Sequence, residues 1–422
     1  MHAVFPKEGM TASKPNRSED QAVSNTKLAL FGGKPVRDPG KPWPSWPVYG
    51  AEECDAVREV ATSGKWWFGE RIKRFEAEYA TFHDAKHCIT CASGTSAIEI
   101  AMRCLGVGVG DEVIVPPYTF IATASAVIWA GGTPVFADVD ESWNLDPDAV
   151  EAAITPQTKA IMPVHFGGRV VDMDRLNDIA ARHGLHVFED ACHSWGSKWK
   201  GKGTGALGIG GAFSFQFSKN ITAAEGGAIL SDDDALAEAC RSTANCGRNI
   251  TPGADWYGHV RVGTNSRITE FQAAILSAQL ARLEAQTLLR ERNAAILDQG
   301  LGAIEGLTPQ PGDPRISRRA YHLYCLRIDA AAFGCSRERF CEAAKAEGLE
   351  IGPGYGLPLY EQPVFKALGD RYTSCRCPVT EDLCYRSGMW IFHSALLGTE
   401  DDMHDIVAIA KKIKEHAAEL GQ

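Results

Sequence analysis

Three short stretches of the 422-residue chain join apolar, strand-like residues to groups able to do chemistry. In CASGTSAIEI, Ser93, Gly94, Thr95 and Ser96 follow an apolar run and precede a helical pattern. Small residues with free backbone N–H groups and hydroxyls at a helix start form an anion cup, although Ser or Thr there also serves as a plain N-cap. In LHVFEDACHSWG an apolar strand delivers Glu189 and Asp190 to its end. A carboxylate so placed either caps a helix or holds a cationic heteroaromatic nitrogen. In FSFQFSKNITAAEGGAIL, Ser214 and Lys219 lie on either side of a strand end. A lysine there can snorkel to solvent, or its primary amine can form a Schiff base that a substrate amine displaces. Taken together, a phosphate cup, a strand-end aspartate and a strand-end lysine are the parts needed to hold pyridoxal phosphate.

Such groups need a frame that brings strand ends together. From about residue 85 to 232, the runs HCIT, DEVIVP, TPVFADV, TKAIMPV, LHVFED, GAFSF and GGAIL alternate with the helical patterns TSAIEIAMRCL, TFIATASAVIWA and MDRLNDIAARHG. This rhythm predicts an α/β domain around a mostly parallel sheet, in which ligands collect at the carboxyl ends of the strands. Residues 267–298 read as one long amphipathic helix joining two domains. Beyond it, the strand YHLYCLRID, a helix near 336–347, the Gly/Pro-rich GPGYGLPLYEQPVF and a closing helix over 399–418 predict a smaller α+β domain. The expected boundaries are a disordered polar tail over 1–26, a large domain with its connecting helix over 27–298, and a small C-terminal domain over 299–422.

Apolar residues make up 45% of the chain, enough for a large core. The formal charge of −10 is spread without a basic tract, which argues against nucleic acid or an anionic membrane surface as the main partner and leaves a small molecule. No apolar run is long enough to cross a bilayer, and the start MHAVFPKEGMTASKPNRSEDQ lacks the apolar block of a secretory signal, so a cytoplasmic location is expected. The thirteen cysteines are odd in number and scattered, many inside apolar runs, and read as reduced thiols. Cys88 and Cys91 end a strand-like run, and Cys375 and Cys377 have another spacing and no neighbouring histidine, so no metal site is expected.

The chain resembles the DegT/DnrJ/EryC1/StrS family of sugar aminotransferases over roughly residues 28 to 400. The resemblance rests on SGTSA, GDEVIVPPYTFIATASAV, PVFADVD, KAIMPVHFGG, GLHVFEDACHSWGS, FSFQFSKNITAAEGGAIL, GTNSRITEFQAA and YHLYCLR, in that order. It implies the fold type I architecture of pyridoxal phosphate enzymes, a mostly parallel seven-stranded sheet with a smaller C-terminal α+β domain, and a homodimer with shared active sites. By the same resemblance Lys219 is the Schiff-base lysine, Asp190 pairs with the pyridinium nitrogen, His193 lies near the ring's 3-hydroxyl and Phe120 stacks on the ring. Thr95, Ser96 and Ser214 match phosphate ligands, and Asn265 matches an asparagine that reaches the phosphate from the neighbouring subunit. Two departures are Ala224, where relatives have the first glycine of GEGG, and Ser266, where many have tyrosine.

The implied reaction moves an amino group from glutamine or glutamate to a keto sugar or keto cyclitol by a ping-pong mechanism, with pyridoxamine phosphate formed on the way. KPWPSWPVYGAEE and SGKWWFGERIKRFE look most like the branch that holds scyllo-inosose aminotransferases and aminohydroxybenzoate synthases. Trp66, Trp67, Trp256, Tyr257 and His259 are then candidates to line the acceptor pocket, or else packing residues. Arg267 is either a ligand for a donor carboxylate or a structural residue at a helix start. The alternatives are an aromatising enzyme like the aminohydroxybenzoate synthases and a non-catalytic cofactor-binding regulator, which the lack of a helix-turn-helix module or basic patch disfavours.

Overall fold

Seven of the apolar runs become one sheet: β1 (His87–Cys91), β2 (Glu112–Val115), β3 (Thr133–Phe136), β4 (Thr158–Ile161), β5 (His186–Asp190), β6 (Gly210–Ser214) and β7 (Gly227–Ser231). The computed structural model describes residues 27–251, 253–255, 257–373 and 375–421, so the tail expected over 1–26 lies outside the described residues. The strand order is β1–β7–β6–β5–β4–β2–β3. Pairing is parallel from β6 through β5, β4 and β2 to β3, and β7 runs antiparallel to both of its neighbours. Because β7 reverses twice over, β1 points the same way as β6. Six strands therefore open their carboxyl ends on one rim.

The strands are apolar on both faces because both are covered, as a parallel sheet requires. Along β2, Val113 and Val115 pack in one cluster while Ile114 packs in another; β5 repeats this with Phe188 and Val187. The first cluster is closed by α3 (Gly94–Cys104), α4 (Ala122–Trp129) and α6 (Asp234–Ala244), the second by α5 (Met173–His183). Before the sheet, α1 (Ala51–Ser63) and α2 (Glu70–Phe82) lie against α7 (Glu270–Gly302), a single helix of 33 residues. A capping box of Thr269 and Gln272 starts α7. Its far half supplies Ala294, Leu297 and Leu301 to a separate core.

That core belongs to the C-terminal unit. Here β8 (Leu307–Pro309), β9 (Leu323–Ile328) and β10 (Gly388–Phe392) form an antiparallel sheet with α8 (Arg337–Ala346) and α9 (Glu400–Glu415) packed on it. Leu28 is buried in the same core, although the sequence groups it with the large domain. Electrostatics fix this early segment there: Ala29 and Val36 donate backbone N–H groups to the Glu347 carboxylate at 2.8 Å each, and Arg37 pairs with Asp402 at 2.9 Å. No helix among the described residues is long and apolar enough to cross a membrane.

Candidate active site

Loops leaving the carboxyl ends of β1, β2, β5 and β6 converge on a cavity of about 430 Å³, and the C-terminal unit closes its far side. At the first loop Ser93 caps α3, accepting from the Ser96 backbone N–H at 3.1 Å. Gly94 follows because nothing larger fits: a Cβ there would lie 2.7 Å from Ser214 Cβ and 3.0 Å from Cys192 Sγ. Gly227, at the start of β7, is pressed against the same turn, with its would-be Cβ 2.4 Å from the Ser93 carbonyl. The small residues of SGT and EGG thus let three strand ends meet.

At the end of β5 the Asp190 carboxylate is buried and gripped from two sides. Thr123 Oγ1, in α4, donates to it at 2.7 Å, and the Cys192 backbone N–H at 3.2 Å. Its neighbour Glu189 points elsewhere, accepting backbone N–H groups of Gly205, Leu207 and Gly208 and facing His165 at 2.9 Å, which makes it a structural group. Lys219 lies in the wall beyond β6, with Nζ 5.6 Å from the centre of the Trp195 ring. Burial pushes its ammonium pKa below the ordinary lysine value, and the nearby Cys192 and Asp190 only partly oppose that shift. Burial and the Lys219 charge likewise hold His193 neutral, and its Nδ1 is sealed from solvent with no hydrogen-bond partner among the described residues.

Six of the expected residues line this one cavity: Thr95, Phe120, Asp190, His193, Ser214 and Lys219. Ser96 does not; its hydroxyl is spent on the capping box with Ser93. Asn265 is exposed, in a bridge with Asn245, outside the lining. Trp66 and Trp67 are exposed and lie in the loop that Glu270 ties to the start of α7, accepting the backbone N–H groups of Gly69 and Arg71 at 2.8 and 3.0 Å. Arg267 sits over the Trp67 ring and donates to Asn245 Oδ1 at 2.9 Å, lining a second cavity of about 450 Å³. Tyr257 and His259 pack edge to face on each other, and Trp256 lies outside the described residues. None of these five described side chains lines the Lys219 cavity.

What does complete the wall is His322, Tyr355, Trp390 and Phe392 of the C-terminal unit. YHLYCLR and GPGYG carried a signal for two of them, since both motifs hold a polar or aromatic residue in an otherwise apolar or Gly/Pro context. Ala224, in the departure from GEGG, adopts φ 68°, a left-handed conformation that glycine takes without cost.

The sheet order, the two-unit chain and the lysine–aspartate cavity define an α/β enzyme of the fold type I aminotransferase class. The family model of the DegT/DnrJ/EryC1/StrS aminotransferase family matches residues 47–411, and the chain belongs to that family. It is 38% identical to the L-glutamine:2-deoxy-scyllo-inosose aminotransferase of Streptomyces kanamyceticus, over 94% of this chain and 99% of the relative. The enzyme of the same description from Micromonospora echinospora is also 38% identical, with the same coverage. Among solved structures, 3-amino-5-hydroxybenzoic acid synthase superposes with a TM-score of 0.82 at 36% identity, covering 89% of this chain and 99% of that one. The protein is accordingly an aminotransferase.

Proposed function

We propose that this aminotransferase binds pyridoxal 5'-phosphate in the Lys219 cavity and moves an amino group from glutamine to a keto cyclitol of the scyllo-inosose type. The observation that carries the reading is that a depressed-pKa lysine, a clamped aspartate and a helix-start cup of hydroxyls line one cavity. The donor set fits the cofactor. Backbone N–H groups and hydroxyls at Thr95 and Ser214 suit a phosphate, Asp190 suits a protonated ring nitrogen, Phe120 offers a face for the ring, and His193 lies in the same lining. When bound, the cofactor supplies an aldehyde that takes up the donor's nitrogen and a ring that accepts electrons from the cleaved Cα–H bond.

The chain's residues do the rest. Lys219 would hold the cofactor, and its Nζ, a base in its neutral form, would carry the proton at the reacting carbon. Burial serves this by leaving more free amine near neutrality. The Asp190 carboxylate, clamped by Thr123 and Cys192, would pair with the ring nitrogen. The wall of Tyr355 and Trp390 offers aromatic faces to the C–H face of a cyclitol and keeps bulk water from the reacting carbon.

Glutamine as donor and the cyclitol as acceptor are supported by the relatives from Streptomyces kanamyceticus and Micromonospora echinospora. The test is a panel of keto cyclitols and keto sugars incubated with α-¹⁵N-glutamine and read by mass spectrometry. A labelled aminocyclitol is expected. Label in none of them, with conversion of aminodehydroshikimate instead, would favour the aromatising reading that the superposition on 3-amino-5-hydroxybenzoic acid synthase supports. We further propose a homodimer in which Asn265, exposed and outside its own cavity, reaches the phosphate of the second copy. Mixing inactive Lys219→Ala with weakened Asn265→Ala protein should then restore activity through hybrid dimers, and no recovery after subunit exchange would count against the shared site.

A further inference from the structure

His322 lies just before β9, buried, and its ring lines the Lys219 cavity. It is the middle of a row of three histidines: the His193 ring centre is 4.4 Å away and that of His393 5.6 Å. The protonation pattern of His322 and His393 follows from their partners. Asn220 Nδ2 donates to the Ala320 carbonyl at 2.9 Å, and a carbonyl can only accept, so the amide oxygen is the atom that faces His322 Nδ1 at 3.0 Å. An oxygen opposite Nδ1 requires the proton to be there. His393 is fixed in the opposite sense, with Arg290 donating toward its Nδ1 at 3.2 Å and Nε2 facing the Ser218 carbonyl at 3.0 Å.

On the His322 ring one nitrogen is left over. Among the described residues no hydrogen bond reaches His322 Nε2, and that atom is not one of those sealed away from the cavity. We propose that Asn220 is a positioning residue that fixes His322 as its Nδ1–H tautomer, so that Nε2 is a neutral acceptor for an N–H or O–H of the bound substrate. The shared chemistry is an uncharged donor: the carboxamide of glutamine or a hydroxyl of the ketone. A carboxylate at the same place would meet a lone pair and find no proton. Burial, then the neighbouring His193, Lys219, His393 and Arg290, keep the ring from becoming a cation that could accept one. Since Asn220 follows Lys219 directly, the amine and the tautomer lock share one loop.

The ketone arm of this inference rests on the acceptor reading above, whereas the tautomer and the glutamine arm do not. In the full-length, cofactor-loaded enzyme labelled with ¹⁵N-histidine, the His322 resonances, assigned by loss in His322→Phe, should show a protonated Nδ1 and a bare Nε2. Asn220→Ala should mix the two tautomers. In separate half-reactions, His322→Phe should raise KM about tenfold for the ligand that Nε2 touches, the worth of one hydrogen bond, with kcat changed less than twofold. A rise confined to glutamine or to the ketone identifies the source. A bare Nδ1 or an imidazolium in the wild type would overturn the proposal, and so would an unchanged KM for both ligands. If His322→Phe does not fold, the Asn220→Ala comparison decides.

Discussion

Asp190 is held by one hydroxyl and one backbone N–H, one on each oxygen, so Asp190→Asn would keep the shape but remove the charge and one acceptor. A charge-assisted hydrogen bond contributes about 1.5–3 kcal/mol, so kcat for amino transfer should fall by roughly 10- to 100-fold, measured with glutamine and an active ketone. The yellow Schiff-base colour should survive, because Lys219 remains. Lys219→Ala should do the converse and yield protein with no borohydride-reducible cofactor adduct by mass spectrometry; retention of that adduct would remove Lys219 from its role. In the sequence each of these residues had a bland explanation, helix capping for Asp190 and snorkelling for Lys219; it was the three motifs together and the family resemblance that singled them out, and both line one cavity. The tautomer of His322 was not visible there, since the partner that defines it, Asn220, is 102 positions away and meets it only through packing of the two units. For Arg267 the sequence left a carboxylate ligand and a structural residue both open, and its guanidinium is shared between Asn245 and the Trp67 face.

At the scale of elements, the cavity depends on how closely β1 and β6 deliver their loops. Gly94→Ala would place a methyl group 2.7 Å from Ser214 Cβ, and backbone must shift to admit it. Cofactor affinity should weaken at least about tenfold, read by fluorescence titration of the apoenzyme with pyridoxal phosphate, while the unfolding midpoint moves little. Unchanged affinity would show that the loop spacing has slack. The strands were legible because a sheet covered on both faces writes continuous apolar runs. Helix ends were less so. The long helix, expected to end at 298, runs on through Gly300, where the sequence argues for a stop. Packing overrides propensity there: a Cβ on Gly300 would lie 2.5 Å from Val407 Cγ2, so close contact with α9 requires the glycine.

For the whole molecule, the cost of burying neutral histidines predicts how stability depends on pH. His83 is fully buried, with Nδ1 facing the Thr204 carbonyl at 2.9 Å and Nε2 accepting from the Gly196 N–H at 3.3 Å, and burial lowers its pKa to about 3. The unfolded chain takes up this proton near the ordinary value of 6.5, so between pH 6.5 and about 3 the unfolded state binds more protons and stability falls as pH falls. Each such histidine should contribute a slope of about 1.4 kcal/mol per pH unit within its window. Urea titrations from pH 7 to 5 should show His83→Gln with a shallower loss than wild type, and equal slopes would mean that His83 is protonated in the fold. The two-unit plan was visible as a change of rhythm after the long helix. The docking of Leu28 and Arg37 on the C-terminal unit was not, because pairing across more than 300 positions leaves no local pattern.

The placement of β1 has a consequence for how the chain is made. It is the first strand of the sheet to leave the ribosome, yet its sole neighbour in the sheet is β7, the last. A nascent polypeptide halted before Gly227 could assemble the parallel layer from β3 to β6 but would leave His87–Cys91 waiting with its backbone unsatisfied. The turn beyond it, which carries Ser93 to Ser96, would have no fixed address until synthesis had passed Ser231. On the function proposed above, capture of the vitamin-derived cofactor would then come late in the making of each molecule.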